Sequence, residues 1–261
     1  MNDHPWLKLA IPIALLIFIP SWIFGLWTEA VDQDSTLLPL APAGTREQVT
    51  NFDPKRTDKK LIALTFDDGP NPNTTPRLLD ILKEKHTHAT FFTLGTTARS
   101  NPEIVKRAKN EGNEIGTHTM YHQNLANLNK SAIEADINEA KQTLSSIIGE
   151  PPTSLRPPYG SINNNVKATA NLPLIIWTID TEDWRNRNPE MIKNHILNTA
   201  FDGAIVLMHD IYPTTIDAIP AVIDELRNNG YEPVTIKQLT SARNTQLKNG
   251  EVYGSFRPLN P

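Results

Sequence analysis

The chain has 261 residues, 39% of them hydrophobic, with 25 Lys and Arg against 29 Asp and Glu and no Cys. That length buries a sizeable core and fits one large domain or two small ones. A net charge of −4 gives none of the clustered positive charge that nucleic-acid binding needs. Without Cys there are no disulfides, thiolate nucleophiles or thiolate ligands, so any metal must take His, Asp or Glu.

Leu9 to Thr28 is a run of 20 uncharged residues, enough for a helix rising about 1.5 Å per residue to span a bilayer core. Trp6, Trp22 and Trp27 suit the interfaces. Lys8 precedes the run and Glu29, Asp32 and Asp34 follow it, a bias that keeps the N-terminus inside and sends the rest out. Residues 1–30 are therefore expected to be a membrane anchor and transmembrane helix, with a cleaved signal segment ending near Thr28-Glu29-Ala30 as the alternative. Residues 31–60, rich in Pro, Thr, Asp and Lys, read as an extracytoplasmic linker. The expected location is the cell membrane, single-pass, with the catalytic domain outside the cytoplasm, or secretion if the segment is cleaved.

From Leu61 the pattern changes to short apolar runs alternating with helix-period segments. Strands are expected at Leu61–Phe66, Ala89–Leu94, Glu114–Thr117, Ser154–Arg156, Leu174–Ile179, Ala204–His209 and Tyr231–Val234. Helices are expected near Pro76–Lys85, Pro102–Glu111, Ala132–Ile148, Ile162–Ala170, Pro189–Ala200 and Thr215–Asn229. Thr75-Pro76, Asn101-Pro102 and Asn188-Pro189 mark helix starts, Ser131–Glu134 reads as a capping box, and Gly112, Gly149 and Gly230 sit where helices should stop. Repeated strand-then-helix order implies right-handed crossovers and a parallel sheet. The expected fold is α/β: a distorted, incomplete (β/α) barrel of about seven parallel strands over residues 61–240, with 241–261 a polar, peripheral C-terminal tail.

In such folds chemistry collects at the C-terminal ends of the strands. After the first run stand Asp67 and Asp68, and after the third, in "GTHTMYH", His118 and His122. "RPPYG" follows the fourth with Arg156, Pro157 and Tyr159; "IDTEDW" follows the fifth with Asp180, Asp183 and Trp184; "LMHD" ends the sixth with Leu207, His209 and Asp210. Each piece alone has a plain structural reading: a turn, a solvated His pair, a surface Arg, a packed Trp. Together they form a coherent set. Two neutral imidazoles and one carboxylate occupy three positions on a divalent cation and leave room for water. Adjacent residues of an extended chain point apart, so one Asp of the pair can bind metal while the other takes a proton. A nearby Arg keeps that second Asp ionised, and a His can protonate the leaving group. His4, His86, His88 and His195 lack such context.

"TFDDGP", "HTMYH", "RPPYG", "DTEDW" and "LMH", in this order, resemble the five motifs of the polysaccharide deacetylase family with a NodB-homology domain, carbohydrate esterase family four. The resemblance covers Leu61 to Leu239. It implies a distorted (β/α) barrel and metal-dependent removal of acetyl from acetylated sugars, with Zn2+ the usual ion and Co2+ or other divalent ions as alternatives. Carried onto matching positions, it implies Asp67 as general base, Asp68, His118 and His122 on the metal, and Arg156 orienting Asp67. The Tyr159 backbone N–H would stabilise the oxyanion. Trp184 and Leu207 would wall the groove and the acetyl pocket, with Pro157 and Tyr159 also at the substrate. His209 would be the general acid, supported by Asp183 rather than Asp180. The expected partner is an acetylated glycan, peptidoglycan first, with chitooligosaccharide, poly-N-acetylglucosamine and acetylxylan as alternatives; a catalytically silent glycan-binding protein and a two-His-one-carboxylate iron oxygenase are readings from other classes.

Overall fold

The computed structural model describes residues 53 and 58–258. The expected membrane segment and nearly all of the linker lie outside them; among the described residues no helix is long and apolar enough to cross a membrane.

β1 (Lys60–Asp67) is buried along its whole length except at Lys60. Its alternation decides everything downstream. Ile62, Leu64 and Phe66 belong to one core cluster, Leu61 and Ala63 to another. Because strand side chains alternate with period two, Thr65 and Asp67 continue the inner face begun by Leu61 and Ala63. The outer face is covered by α1 (Thr75–Glu84), whose Leu78, Leu79 and Leu82 join the Phe66 cluster. Full burial of each such side chain stabilises by about 1.5–3 kcal/mol.

The chain continues through β2 (Thr90–Thr93), α2 (Gly95–Ser100), α3 (Pro102–Asn110), β3 (Glu114–Thr117), α4 (Lys130–Ile148) and α5 (Asn164–Thr169). Then come β4 (Leu174–Ile175), β5 (Ile179–Asp180), α6 (Asp183–Asn186) and α7 (Pro189–Thr199), followed by β6 (Ala204–His209), α8 (Pro213–Asn228), β7 (Tyr231–Val234), α9 (Ile236–Ala242) and β8 (Val252–Tyr253). The main sheet runs β3-β2-β1-β6-β5, and every ladder is parallel. One edge of β1 is shared: its first half, Lys60–Ala63, pairs with β7 and its second half, Thr65–Asp67, with β2. Leu155 bridges Thr117 on one side and Leu174 on the other. Since β5 pairs with β6, the pairings close a cycle around an interior lined by Leu61, Ala63, Phe92, Ile175 and Ile205.

Three sequence expectations change here. Ser154–Arg156 is reduced to bridges at Leu155, because Arg156 turns inward to serve the site. The expected strand Leu174–Ile179 divides into two pieces because it changes neighbours: Ile176 N–H donates to Tyr253 O, whereas Thr178 N–H donates to Ile205 O. The segment after 241 is not peripheral, since β8 pairs with β4 and Phe256 is buried in the interior cluster.

Of the three expected Pro-marked helix starts, only Asn188 caps through its side chain; α1 begins one residue early, after Thr74, and neither Thr74 nor Asn101 makes a side-chain cap. Asn188 accepts from Met191 N–H and Gly149 closes α4 at φ 78. The capping box expected at Ser131–Glu134 does not form; α4 starts earlier because Asn129 accepts from Ala132 N–H, and a capping box forms instead at α9 between Thr235 and Gln238.

Candidate active site at the strand ends

Strand periodicity delivers the site. On β6, Ala204, Val206 and Met208 face the outer cluster, so Ile205, Leu207 and His209 face inward. The ladder sets Asp67 directly beside His209. On the other flank of β1, across β2, the end of β3 presents His118. Asp67 thus lies between an imidazole from each side.

Asp67 is buried and Arg156 fully so. Arg156 Nη1 donates to Asp67 Oδ1 at 2.8 Å and to Thr65 Oγ1 at 2.7 Å, its Nε donates to Ile175 O at 3.3 Å, and its guanidinium lies 4.1 Å from the Phe92 ring centroid. Burial pushes the Asp67 carboxyl above its usual range, against the lowering pull of Arg156 and His209. A carboxylate with a raised pKa and one oxygen tied to a cation keeps Oδ2 as a proton acceptor.

The extended-chain argument for dividing labour between the two Asp residues does not hold in its simple form. Asp68 adopts φ 75, a left-handed conformation that Asp tolerates better than most residues. The two carboxylates therefore converge on one imidazole: His118 Nε2 is 3.5 Å from Asp68 Oδ1 and 3.7 Å from Asp67 Oδ2. The next residue must be Gly because a Cβ there would sit 2.1 Å from Asp210 Oδ2. Asp210 is buried beneath the turn and accepts from Thr75 Oγ1 at 2.5 Å.

His118 Nδ1 donates to Arg156 O at 2.7 Å, which leaves Nε2 with its lone pair toward Asp68. Burial first, with His122 and Arg156 beyond, pushes His118 down to about 3 against the pull of Asp68, so the ring is neutral at physiological pH. His122 Nε2 lies 3.3 Å from the same Asp68 Oδ1. That oxygen is buried and has no hydrogen-bond partner. A carboxylate oxygen facing a neutral ring's lone pair is repulsive unless a cation stands between them. Asp68, His118 and His122 offer ligand atoms within 4.8 Å of one another, and one carboxylate with two imidazoles is the donor set of an open divalent site.

The turn that carries this pair is tied down group by group. Thr119 (φ 73) and His122 (φ 56) are both left-handed. Thr119 O accepts from Gly95 N–H and Met120 O from Thr96 N–H, while His122 N–H donates to Thr119 Oγ1. The charged anchor is Asp136 on α4, which accepts from Met120 N–H at 2.6 Å. Asp136→Ala strands that buried N–H and is expected to weaken divalent-metal affinity by about 10–100-fold, with Asp136→Asn weakening it less. Zn2+ titration of the full-length variants, beside a melting curve, measures this.

At the other flank, His209 Nδ1 donates to Asp183 Oδ1 at 2.7 Å, and Asp183 Oδ2 accepts from His209 N–H and Thr215 Oγ1 at 2.8 and 2.7 Å. Burial opposes the His209 charge, yet the hydrogen bond and charge of Asp183, with Asp67 and Asp68 behind, raise its pKa to about 9. Asp180 instead accepts from Glu182 N–H and faces the cleft.

These groups open into one cleft of about 460 Å³ whose walls include Tyr159, Trp177, Trp184, Leu207 and Tyr212. Tyr159 and Trp184 are exposed at its rim. Pro157 is not part of the wall: it is buried behind the tight turn it starts, where its carbonyl accepts from Gly160 N–H. Trp177 and Tyr212 escaped sequence reasoning. Trp177 packs against the inner cluster in the break between β4 and β5, where the change of partner hides it from periodicity; Tyr212 lies beyond the end of β6, where nothing local marks it.

The family profile described as polysaccharide deacetylase matches residues 54–174. A peptidoglycan-N-acetylglucosamine deacetylase of Bacillus cereus is 40% identical over 190 residues, 70% of this chain and 89% of its own length. The chain belongs to the polysaccharide deacetylase family. The Bacillus subtilis peptidoglycan-N-acetylmuramic acid deacetylase PdaC is 42% identical over 186 residues, 71% of this chain but 40% of that protein, so the chain matches less than half the length of that relative. The solved structure of PdaC superposes with a TM-score of 0.70 at 41% identity, covering 74% of this chain and 94% of that one. A family 4 acetyl xylan esterase from Clostridium thermocellum, solved in complex with a cobalt ion, gives 0.72 at 30% identity over 75% and 98%. Within this family a divalent metal is general, and Asp68, His118 and His122 are the residues here whose chemistry fits it.

Proposed function

We propose that this polysaccharide deacetylase family member hydrolyses the acetamide of N-acetylated sugars in a cell-envelope glycan, peptidoglycan, using a divalent ion, Zn2+ for choice, on Asp68, His118 and His122. The observation that carries the reading is the placement of Asp67 between the Asp68–His118–His122 cluster and the His209–Asp183 pair. The relatives named as peptidoglycan deacetylases support the glycan.

When bound, a divalent cation polarises a carbonyl oxygen and acidifies water. Asp67, held through Oδ1 by Arg156, takes the proton of the attacking water at Oδ2. His209 carries a proton at neutral pH and gives it from Nε2 to the sugar nitrogen as the carbon–nitrogen bond breaks; such transfers contribute roughly 10²–10⁴ each. Asp183 keeps the His209 Nδ1–H pointed away from the cleft, so Nε2–H faces the leaving group. The Tyr159 amide donates to the developing oxyanion. Leu207 contacts the acetyl methyl and Trp184 the sugar face. The uncharged run Leu9–Thr28 supports tethering to the membrane with the catalytic domain outside the cytoplasm.

The test uses the full-length protein with N-acetylglucosamine oligomers and purified wall glycan. Acetate release is expected, lost after chelation and restored by Zn2+. Release that survives complete chelation removes the metal, and a protein that binds these glycans without releasing acetate is the silent binder instead.

A further inference from the structure

Arg187 follows α6 in a left-handed conformation, φ 46. Its Nη1 donates to Asp183 O at 2.8 Å, and its guanidinium carbon stands 3.1 Å from the Tyr212 ring centroid. Tyr212 walls the cleft, with its ring 5.7 Å from that of His209. Arg187 is exposed and, among the described residues, makes no ion pair, whereas its neighbour Arg185 faces Glu182 at 3.9 Å. A guanidinium has five N–H donors. One carbonyl and one ring therefore immobilise this cation without neutralising it and leave much of the fork open.

The surroundings give that charge a use. Of the carboxylates that line the cleft, Asp67 is paired with Arg156 and Asp68 belongs to the metal set, whereas Asp180 makes no ion pair among the described residues, so an anionic polymer meets an uncompensated carboxylate there and gains from a cation that meets its own charge. A neutral glycan needs no such arginine. A fixed fork at the rim matches a carboxylate in two-point geometry. We propose that Arg187, stacked on Tyr212, is a carboxylate-binding site at the cleft rim, and that the substrate is an anionic glycan carrying a carboxylate on or beside the sugar next to the one deacetylated. This rests on the deacetylase reading. In peptidoglycan two groups have that chemistry, the lactyl carboxylate of a peptide-free muramyl sugar and the carboxylates of a stem peptide.

The experiment compares kcat/KM of the full-length wild type, Arg187→Gln and Arg187→Lys on four probes of equal sugar length: chitotetraose, peptide-free wall tetrasaccharide, its lactyl methyl ester, and the stem-bearing tetrasaccharide. The expected result is a loss in Arg187→Gln at least about tenfold larger on a carboxylated probe than on chitotetraose or the ester. Arg187→Lys, which keeps charge but not the fork, should recover part of it, and added salt should shrink the wild-type preference. Selective loss on the peptide-free probe assigns the lactyl group; selective loss on the stem-bearing probe alone assigns the stem. Equal losses on all four probes would mean that Arg187 only braces the Asp183 carbonyl, and the proposal fails. Absence of acetate from every probe with the wild type overturns the deacetylase reading itself.

Discussion

Asp67→Asn is expected to lower kcat for acetate release by about 10³-fold, within the range for loss of a general base, while divalent metal remains bound. The amide keeps an acceptor oxygen for Arg156 and nearly the same volume, but it cannot take a proton. The ligand set survives because Asp68, His118 and His122 do not depend on Asp67 for their placement: His118 is anchored through Arg156 O and the His118–His122 turn through Thr119 and Asp136. The substitution also leaves the buried Arg156 without its countercharge, and breaking a buried pair costs about 3–5 kcal/mol. Activity is therefore read on folded protein, with melting and metal content measured together. Undiminished turnover in that variant, with one ion still bound, would remove Asp67 from the role of base.

The inner faces of β1 and β6 were legible in the sequence because both strands are long enough for alternation to speak. Leu61, Ala63, Thr65 and Asp67 share one side of a strand whose other side is wholly apolar. The same holds for Leu207 and His209. Where pairing is short or changes partner, periodicity carries no signal. Residues 174–180 look like one strand, yet they serve Leu155 and β8 at the start and β6 at the end. Phe256 was lost to the polar composition of its neighbours, although it fills the interior beside Tyr253.

Within the site, the groups at strand ends could be read, together with Arg156 behind Asp67 and Asp183 behind His209; the groups that hold the metal turn and the outer cleft wall could not. Asp136 sits in the middle of a helix, 16 residues from its partner Met120, and nothing in an Ala- and Glu-rich helical stretch singles it out. Asp68 stands where a strand would continue, and only its left-handed backbone turns its carboxylate toward His118. Tyr212 and Arg187 lie on different elements and meet only through the fold. Positioning shells are made of long-range contacts, and single-sequence patterns record short-range ones.

Asp183→Asn is expected to cut kcat/KM by about 10²–10⁴-fold, the worth of a positioned acid, and to move the alkaline limb of the pH–rate profile down from near 9. The base must be deprotonated, so activity rises through the pKa of Asp67; the acid must be protonated, so activity falls above that of His209. Burial alone would lower the His209 pKa, and Asp183 supplies the first two opposing contributions, ahead of Asp67 and Asp68. A bound cation offsets the Asp68 share and leaves that of Asp183. An asparagine amide at 183 donates to Nδ1 instead of accepting from it, so the ring stays neutral and Nε2–H becomes a weak acid. The limb should then move toward the ordinary histidine value of about 6.5. Stability follows the same sign: a raised folded pKa contributes fully below about 6.5 and is lost as pH rises through about 9. The pH-dependent part of the stability gap between wild type and Asp183→Asn should therefore be widest in acid and close by pH 9 to 10, as chemical denaturation across that window measures. A limb that stays near 9 in the variant would mean that some other group carries the proton.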